Sequence, residues 1–219
     1  MDEPVDSLVF SKKLRKPKGE FTLFTDSARC IRLPAPFSNS SLETAKEILA
    51  IQGSSYLREE GMEKSIKKHD KDPAAAIKIY MSLFGLKYDE SFIKKVLTET
   101  GDIVLEHKNR FNRPRPSQLA PYFGADISLA KSRSSKTPSY PGGHSAQARL
   151  VAEIYGEKYP EHRSNLLRAA EEAGVGRIMA GLHFPSDHKM GSYLGKRLFK
   201  TLKGRTKKVY NQVIDLVLK

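Results

Sequence analysis

Residues 177–187 read RIMAGLHFPSD, and this stretch joins the end of one predicted helix to the beginning of the next. Pro185 is predicted at the first position of the second helix, where the missing backbone N–H is not needed. His183 then precedes that helix, and Asp187 lies in its first turn. The carboxylate could accept a hydrogen bond from one ring nitrogen and leave the other free as a nucleophile. The alternative is a solvent-facing histidine beside an aspartate that stabilises the helix dipole.

A glycine-containing motif, Pro141-Gly142-Gly143-His144, lies upstream and precedes another predicted helix. Two glycines allow the backbone to approach an anion closely, and the N–H groups at a helix start can point at that anion. His144 would lie on the first turn, beside the bound group and placed for proton transfer. Taken alone, the tetrapeptide is more typical of a turn with a surface histidine.

A third motif, Lys108-x6-Arg115-Pro116, contributes two cations at the end of a predicted helix and in the proline-rich turn after it. Arginine offers a planar fork of donors to two phosphate oxygens, and lysine acts as a compact point charge. Either side chain could instead cap helix carbonyls. Together with Arg177, these cations suit a site that holds a tetrahedral oxyanion and transfers its central atom between oxygens.

The rest of the chain has a helical period in its apolar residues, which predicts an all-α fold of about seven or eight helices. Ser40 and Glu43 form a capping-box signal, and Asp72 with Pro73 predicts an N-cap followed by a first-position proline. Residues 111–142 contain five prolines and no strand alternation, so we expect a long functional loop. The predicted helices begin near Ser40, Tyr56, Asp72, Glu90, Gly143, Glu161, Pro185 and Val209.

The overall composition predicts one globular domain. Hydrophobic residues make up 39% of the 219, and no apolar run reaches the roughly 18 residues that span a bilayer. Residues 1–40 are predicted to form an irregular arm, and residues 41–219 the helical domain. The acidic N-terminus has no signal-peptide pattern, which predicts a cytoplasmic protein, or a periplasmic one if a signal was removed. The single Cys30 excludes an internal disulfide.

A formal charge of +13 predicts a surface that attracts anions. The basic 204–219 segment is explained equally well by a solvated face, and nucleic acid is a second partner class. Nucleic-acid binding needs exposed aromatic side chains along a basic stripe, so this function is less favoured. The sequence leaves a homo-oligomer open. The aromatic residues that are instead predicted in helix cores include Phe84, Phe92, Tyr155 and Phe199.

The three motifs, over residues 108–187, resemble the signature of the type 2 phosphatidic acid phosphatase superfamily. This family includes bacterial class A acid phosphatases and vanadium-dependent haloperoxidases. Its pattern is Lys-x6-Arg-Pro, then Pro-Ser-Gly-His, then Ser-Arg-x5-His-x3-Asp. The resemblance implies a single-domain helical bundle of the acid phosphatase and haloperoxidase type without transmembrane helices. It also implies a phosphomonoesterase-like site that needs no metal.

The resemblance also implies a role for each matching residue. His183 would attack phosphorus, oriented by Asp187, and His144 would protonate the leaving alcohol and later activate water. The residues implied to bind phosphate are Lys108, Arg115, Arg177, Gly142 and Gly143.

Two positions depart from the family pattern. Gly142 and Gly176 stand where the family has serine, so hydroxyl groups are missing near the predicted phosphate. Losing one donor to a transition-state oxyanion can cost about 3 kcal/mol, so we expect activity that is present but weakened. Ser139 and Ser145 are candidates for a substitute hydroxyl.

The leading hypothesis is a metal-independent phosphatase that hydrolyses a soluble phosphomonoester or pyrophosphate-type substrate through a phosphohistidine. One alternative is a vanadate-dependent haloperoxidase, because vanadate mimics phosphate. The other is a basic nucleic-acid-binding protein with a degenerate pocket. His183, Asp187 and His188 could also be imagined as metal ligands, but no further ligands follow at a recognisable spacing, so no metal is predicted.

Overall fold

A computed structural model describes residues 4–19, 21–24, 26–58, 60–132 and 135–205. These ranges contain eight α-helices and no strand, which confirms the predicted all-α class. No helix in this part of the chain combines the length and apolarity that crossing a membrane demands. The helices are α1 (Leu42–Tyr56), α2 (Glu60–Lys71), α3 (Ala75–Leu83), α4 (Glu90–Phe111), α5 (Pro116–Leu119), α6 (Gly143–Lys158), α7 (Arg163–Met179) and α8 (Pro185–Arg205).

Seven of these helices lie where the apolar period predicts them. The eighth, α5, is a single turn inside the proline-rich segment that the sequence predicts as loop. The helix predicted around Val209 lies outside the described residues.

Four predicted helix starts are wrong by two to four residues, since the observed helices begin at Leu42, Glu60, Ala75 and Arg163. Side-chain hydrogen bonds explain the difference at α1 and α3. The N-cap of α1 is Ser41, which accepts a hydrogen bond from the Thr44 N–H, whereas Ser40 is bonded to Asp6 of the N-terminal arm. Helix α3 begins at Ala75 because the Asp72 carboxylate accepts from the Ala74 N–H, leaving the proline between them in a turn. A contact with the distant Asp6 thus removes Ser40 from the cap of α1, whereas a local bond made by Asp72 delays the start of α3.

Phe84 was predicted as a core residue, and this prediction is wrong. Its side chain is 56% exposed because it caps the C-terminal end of α3 and the apolar face of that helix has already ended. The ring contacts Tyr80 and His162 at centroid distances of 4.6 and 5.3 Å. Tyr155 and Phe199 are buried in the core, as expected.

Helix α6 is the central helix, packed against α4, α7 and α8. Two glycines allow α8 to approach it closely. A Cβ atom added at Gly191 would lie 2.2 Å from the Gly142 carbonyl oxygen, and one at Gly195 would lie 2.4 Å from the Ala146 oxygen. Since both distances are far below van der Waals contact, only glycine permits this crossing. The crossing brings the first turns of α6 and α8, and therefore His144 and Asp187, to the same end of the bundle.

The C-terminal end of α4 redirects the chain towards that same end. Asn112 adopts a left-handed conformation (φ 47°), and its N–H donates to the Lys108 carbonyl over 2.8 Å. Such a cap ends a helix and turns the chain away from the helix axis. The following residues, Arg113 to Arg115, consequently cross the beginning of α8 in a non-helical segment.

The described parts of the N-terminal arm, residues 4–19, 21–24 and 26–40, pack against the bundle with little regular structure. Phe24 is buried in the main core, and the Glu99 carboxylate of α4 accepts hydrogen bonds from Thr22 N–H and Leu23 N–H at 3.0 and 2.8 Å. These bonds hold the arm against α4. Its predicted status as a region separate from the helical domain stays a prediction.

Candidate active site

His183 and Asp187 form a buried pair between α7 and α8. His183 Nδ1 lies 3.2 Å from Asp187 Oδ2, and the same oxygen accepts the Phe184 N–H at 2.9 Å. The pair is 4% and 0% exposed, so water does not compete for the carboxylate. Asp187 therefore fixes the orientation of the imidazole ring.

The second ring nitrogen of His183 faces a cation. Arg115 Nη1 lies 3.1 Å from His183 Nε2 and also donates to the Leu182 carbonyl at 2.7 Å. A guanidinium has no acceptor, so Nε2 must accept this hydrogen bond and carry a lone pair. The proton of the neutral ring then lies on Nδ1, facing Asp187. This tautomer is the one that an attack by Nε2 requires.

Both cations of the Lys108-x6-Arg115-Pro116 motif are buried here. Lys108 Nζ donates to the carbonyls of Pro138 and Ser139, the latter at 3.0 Å. Arg115 Nε and Nη2 both donate to the Thr137 carbonyl, at 2.9 and 2.7 Å. The loop before α6 is therefore held against Lys108 and Arg115 by its own carbonyl groups.

Arg177 of α7 contacts an acidic side chain that the sequence did not predict at the site. Its Nη1 donates to Asp70 Oδ1, at the C-terminal end of α2, over 2.6 Å, and its Nη2 donates to Ser132 Oγ at 3.0 Å. The Ser132 hydroxyl in turn donates to Asp70 Oδ1 at 2.6 Å. A carboxylate thus contacts one of the three cations that were predicted to bind phosphate.

His144 lies on the first turn of α6 with its ring partly buried. Its Nε2 is inaccessible to water and has no hydrogen-bond partner among the described residues. Burial and the positive charge of Arg177 lower the pKa of His144 to about 3, although the charge and backbone carbonyl of Asp70 oppose this shift. His144 is therefore neutral near pH 7.

The predicted cations and histidines act on one another electrostatically. Burial, followed by the charge of Arg115, lowers the pKa of Lys108 and of His183 well below their ordinary values. Burial lowers the pKa of Arg115 to about 9, with a further contribution from Arg177. Such mutual repulsion among buried cations is relieved when an anion binds. The structure thus brings the three motifs together in one buried cluster of positively charged side chains.

Asp187 is ionised in this pocket. Burial alone would raise the pKa of its carboxyl group, but the charge of Arg113 and the hydrogen bond with His183 outweigh burial and lower it. Arg113 Nη1 lies 2.7 Å from Asp187 Oδ1, and its Nη2 lies 3.3 Å from Glu47 Oε2 of α1. Sequence reasoning missed Arg113 and Glu47. The position of Arg113, two residues before Arg115 in an irregular segment, was the available signal.

The two backbone amides of the glycine motif differ in their hydrogen bonding. The Gly142 N–H donates to the Asp187 carbonyl at 2.8 Å, so this amide is already engaged within the protein. A Cβ added at Gly142 would lie 3.0 Å from both the Asp187 carbonyl oxygen and Ser145 Oγ, which explains the absence of serine here. The first helical bond of α6 runs from Ala146 N–H to the Gly142 carbonyl, leaving the Gly143 amide at the helix start. Phosphate binding by Gly142 and Gly143 stays a prediction.

The two candidate substitute hydroxyls are also engaged. Ser139 Oγ donates to the Pro114 carbonyl at 2.8 Å, and Ser145 Oγ lies 2.9 Å from His188 Nδ1. Ser132 is instead the serine that contacts Arg177. Its position in an irregular loop gave no sequence signal.

Metal binding finds no support in this part of the molecule. His188, which the sequence placed among conceivable ligands, is bonded to Glu171 Oε2 at 2.7 Å as well as to Ser145. Across the described ranges, no three His, Cys, Asp or Glu side chains are grouped to hold an ion. Independence of metals stays a prediction.

Comparison with known proteins relates this pocket to one family. The family model described as the PAP2 superfamily matches residues 92–204, slightly more than half of the chain. The match includes all three motifs.

Curated relatives include three bacterial acid phosphatases. The acid phosphatase of Zymomonas mobilis is 31% identical over 138 residues, which are 61% of this chain and 50% of the relative. The non-specific acid phosphatase of Providencia stuartii is 27% identical over 164 residues, covering 70% of this chain and 65% of the relative. That of Salmonella typhimurium is 39% identical over 67 residues, covering 31% and 27%. The matched stretches therefore cover between 27% and 65% of these relatives' lengths, which is less than two thirds in each case.

Among solved structures, the chain is similar to a transmembrane PAP2-type phosphatidylglycerolphosphate phosphatase from Bacillus subtilis. The TM-score is 0.53 and the sequence identity 19%, with 78% of this chain and 89% of the other covered. This similarity concerns the fold alone and agrees with a helical bundle.

Proposed function

Because this chain belongs to the PAP2 superfamily, we propose that it is a phosphoric ester hydrolase. Its substrate would be a small phosphomonoester or a pyrophosphate-type compound, cleaved without a metal or other cofactor. The observation that carries this proposal is the arrangement of His183, with Nδ1 bonded to Asp187 and Nε2 accepting from Arg115 in a pocket of buried cations. The similarity to acid phosphatases supports the same reaction class.

Binding is the first step of the proposed reaction. The non-bridging phosphate oxygens would contact Lys108, Arg115 and Arg177, so the phosphate has to compete with the Asp70 carboxylate for Arg177. Because phosphoryl transfer depends on positioning and charge stabilisation, these three cations supply most of the catalysis.

Chemistry then follows in two transfers. His183 Nε2 attacks phosphorus, and the P–N bond forms as the bond to the leaving oxygen breaks. His144 donates a proton to that oxygen, which requires that the charge of the bound phosphate raise its low pKa. In the second transfer, His144 accepts a proton from water as the water oxygen attacks phosphorus. The P–N bond breaks, inorganic phosphate is released, and His183 is restored.

The proposal is tested with a panel of soluble phosphoesters, each assayed with and without a chelator. Hydrolysis should survive chelation, and His183→Ala should abolish it. A rapid quench into alkali, in which phosphohistidine survives, should trap label on His183 when a labelled phosphoester is supplied. His188→Gln is the matched control, because this histidine is bonded to Glu171 and Ser145 outside the proposed reaction.

Two outcomes would contradict the proposal. Normal hydrolysis by His183→Ala would exclude this histidine as the nucleophile. Halide oxidation after addition of vanadate, bromide and peroxide, with no hydrolysis of any phosphoester, would favour a haloperoxidase.

A further inference from the structure

Arg113 is a buried cation beyond the three that the family pattern assigns to phosphate. Its side chain is 1% exposed, and its guanidinium carbon lies 3.9 Å from the centre of the Phe184 ring. A buried charge is costly unless it is paired and hydrogen-bonded. The hydrogen-bond partners of Arg113 therefore indicate which groups its charge stabilises.

Those partners surround the beginning of α8. Arg113 Nη1 donates to Asp187 Oδ1 at 2.7 Å and to Ser186 Oγ at 2.8 Å, while Nη2 lies 3.3 Å from Glu47 Oε2. Glu47 also accepts from the Ser186 N–H at 2.6 Å and from the Ser186 hydroxyl at 2.8 Å. Arg113 and Glu47 thus bind the first turn of α8 from the two neighbouring segments of the chain.

The two carboxylate oxygens of Asp187 have different hydrogen-bond partners. Oδ2 faces His183 Nδ1 and the Phe184 N–H, whereas Oδ1 faces Arg113. A carboxylate held at both oxygens cannot rotate about its terminal bond without losing a charge-assisted hydrogen bond. The orientation of the His183 ring consequently depends on a contact made on the far side of Asp187.

We propose that Arg113 is a positioning residue, which holds the Asp187 carboxylate so that it fixes the His183 ring for attack. This inference rests on the proposed phosphatase function but concerns a residue that does not touch the substrate. Arg113 and Arg115 then act on opposite ends of one hydrogen-bonded chain, from Arg113 through Asp187 and His183 to Arg115. Glu47 balances the charge of Arg113 from the other side.

Several charged groups act on the pKa values of His183 and Asp187, and these pKa values are what a variant of Arg113 should change. Arg115, Lys108 and Asp187 act on His183, and Arg113 acts on Asp187. Removal of Arg113 takes away the strongest interaction that keeps the Asp187 pKa low, so that pKa should rise. Protonated Asp187 no longer accepts from His183 Nδ1, and the ring loses its fixed tautomer.

The test compares Arg113→Met, Arg113→Lys and the control Arg110→Met, in which an exposed arginine of the same region loses the same charge. Arg113→Met should lower kcat about 10- to 100-fold and leave KM within about 3-fold, as expected for a residue behind a catalytic group. In the pH profile of kcat/KM for this variant, the acidic limb should move to higher pH. Arg113→Lys should restore the position of that limb and part of the rate, and Arg110→Met should match the unmodified protein.

A measurement independent of activity separates this inference from the proposed function. The Nδ1–H proton of His183 should be protected from exchange with water in NMR spectra and should exchange faster in Arg113→Met. If the unmodified protein hydrolyses no phosphoester, the proposed function fails, and the NMR result still decides the role of Arg113. Unchanged exchange, together with an unchanged pH profile in the folded variant, would overturn it.

A second variant covers the case in which Arg113→Met does not fold. Glu47→Gln removes one anchor of Arg113 and keeps every contact of Asp187 itself. It should lower kcat about 3- to 10-fold and speed Nδ1–H exchange, because a less restrained Arg113 holds the carboxylate less well. Equal rates and equal exchange in this folded variant would also overturn the inference.

Discussion

The carboxylate of Asp70 lies 2.6 Å from a guanidinium nitrogen of Arg177, so an acidic group of α2 contacts a cation that the proposed function assigns to phosphate. Both side chains are more than nine tenths buried. Phosphate and Asp70 carry the same sign of charge and would compete for this arginine. Opening of the site would then involve movement at the C-terminal end of α2.

Asp70→Asn is expected to tighten the binding of phosphate and vanadate. The amide keeps the shape of the side chain and removes the competing charge, so KM and the inhibition constant of vanadate should fall about 3- to 10-fold. Steady-state kinetics with and without vanadate measure both. Asp126→Asn is the control, since that carboxylate contacts the Tyr56 hydroxyl at 2.6 Å instead. A raised KM in Asp70→Asn would mean that Asp70 supports Arg177 rather than competing for it.

Restoring the two family serines should have opposite effects. Gly142→Ser places a Cβ 3.0 Å from the backbone oxygen of Asp187, so we expect a loss of about 1–3 kcal/mol in unfolding free energy and a lower kcat. Gly176→Ser meets Ile66 Cγ1 at an ordinary 3.9 Å and replaces a glycine inside α7, which should leave stability unchanged or raise it by about 0.5 kcal/mol. Urea unfolding and kcat measure both variants. A Gly142→Ser protein that is more stable and faster would show that the crossing near Asp187 adapts easily.

Stability should decrease in mild acid. Burial is the first cause that lowers the pKa of four histidines in the folded protein, His69, His107, His144 and His183. The unfolded chain then binds more protons below the ordinary pKa of 6.5, so the stabilisation is complete above pH 6.5 and is lost as the pH falls below it. Urea unfolding between pH 5 and 8 should show this slope.

His107→Gln identifies one source of that slope. His107 is buried, and its Nε2 has no hydrogen-bond partner within the described ranges. Below pH 6 the variant should lose less stability per pH unit, by up to about 1.4 kcal/mol. A slope that stays the same would assign the acid sensitivity to other groups.

The fold and the central part of the pocket could be predicted from the sequence because both depend on local signals. Helices α4, α6, α7 and α8 lie where runs of apolar residues predict helices, and Pro185 marks the start of α8 at the correct residue. The spacing of His183 and Asp187 across that helix start is short, so their contact follows from local geometry. Similarity to a family supplied the grouping of the distant motifs.

The remaining contacts of the pocket could not be predicted because they join distant segments through ordinary residues. Asp70 and Arg177 are 107 residues apart, and Asp70 lies in a helix so rich in charges that one more carboxylate is not distinctive. Ser132 belongs to an irregular loop, and Glu47 lies on a helix with no motif. Arg113 stood within the motif region but outside the residues that the family pattern names.

The crossing of α6 and α8 has a further consequence. At Gly191 and Gly195 the two main chains are in contact with no side chain between them. The distance between the first turns of these helices is therefore set by the backbone and not by the size of a side chain. Exchange of surrounding side chains cannot bring His144 and Asp187 closer together or move them apart. If the proposed function holds, evolution of a new substrate preference would therefore act on α2 and the loop before α6, while the separation of His144 and Asp187 is inherited unchanged.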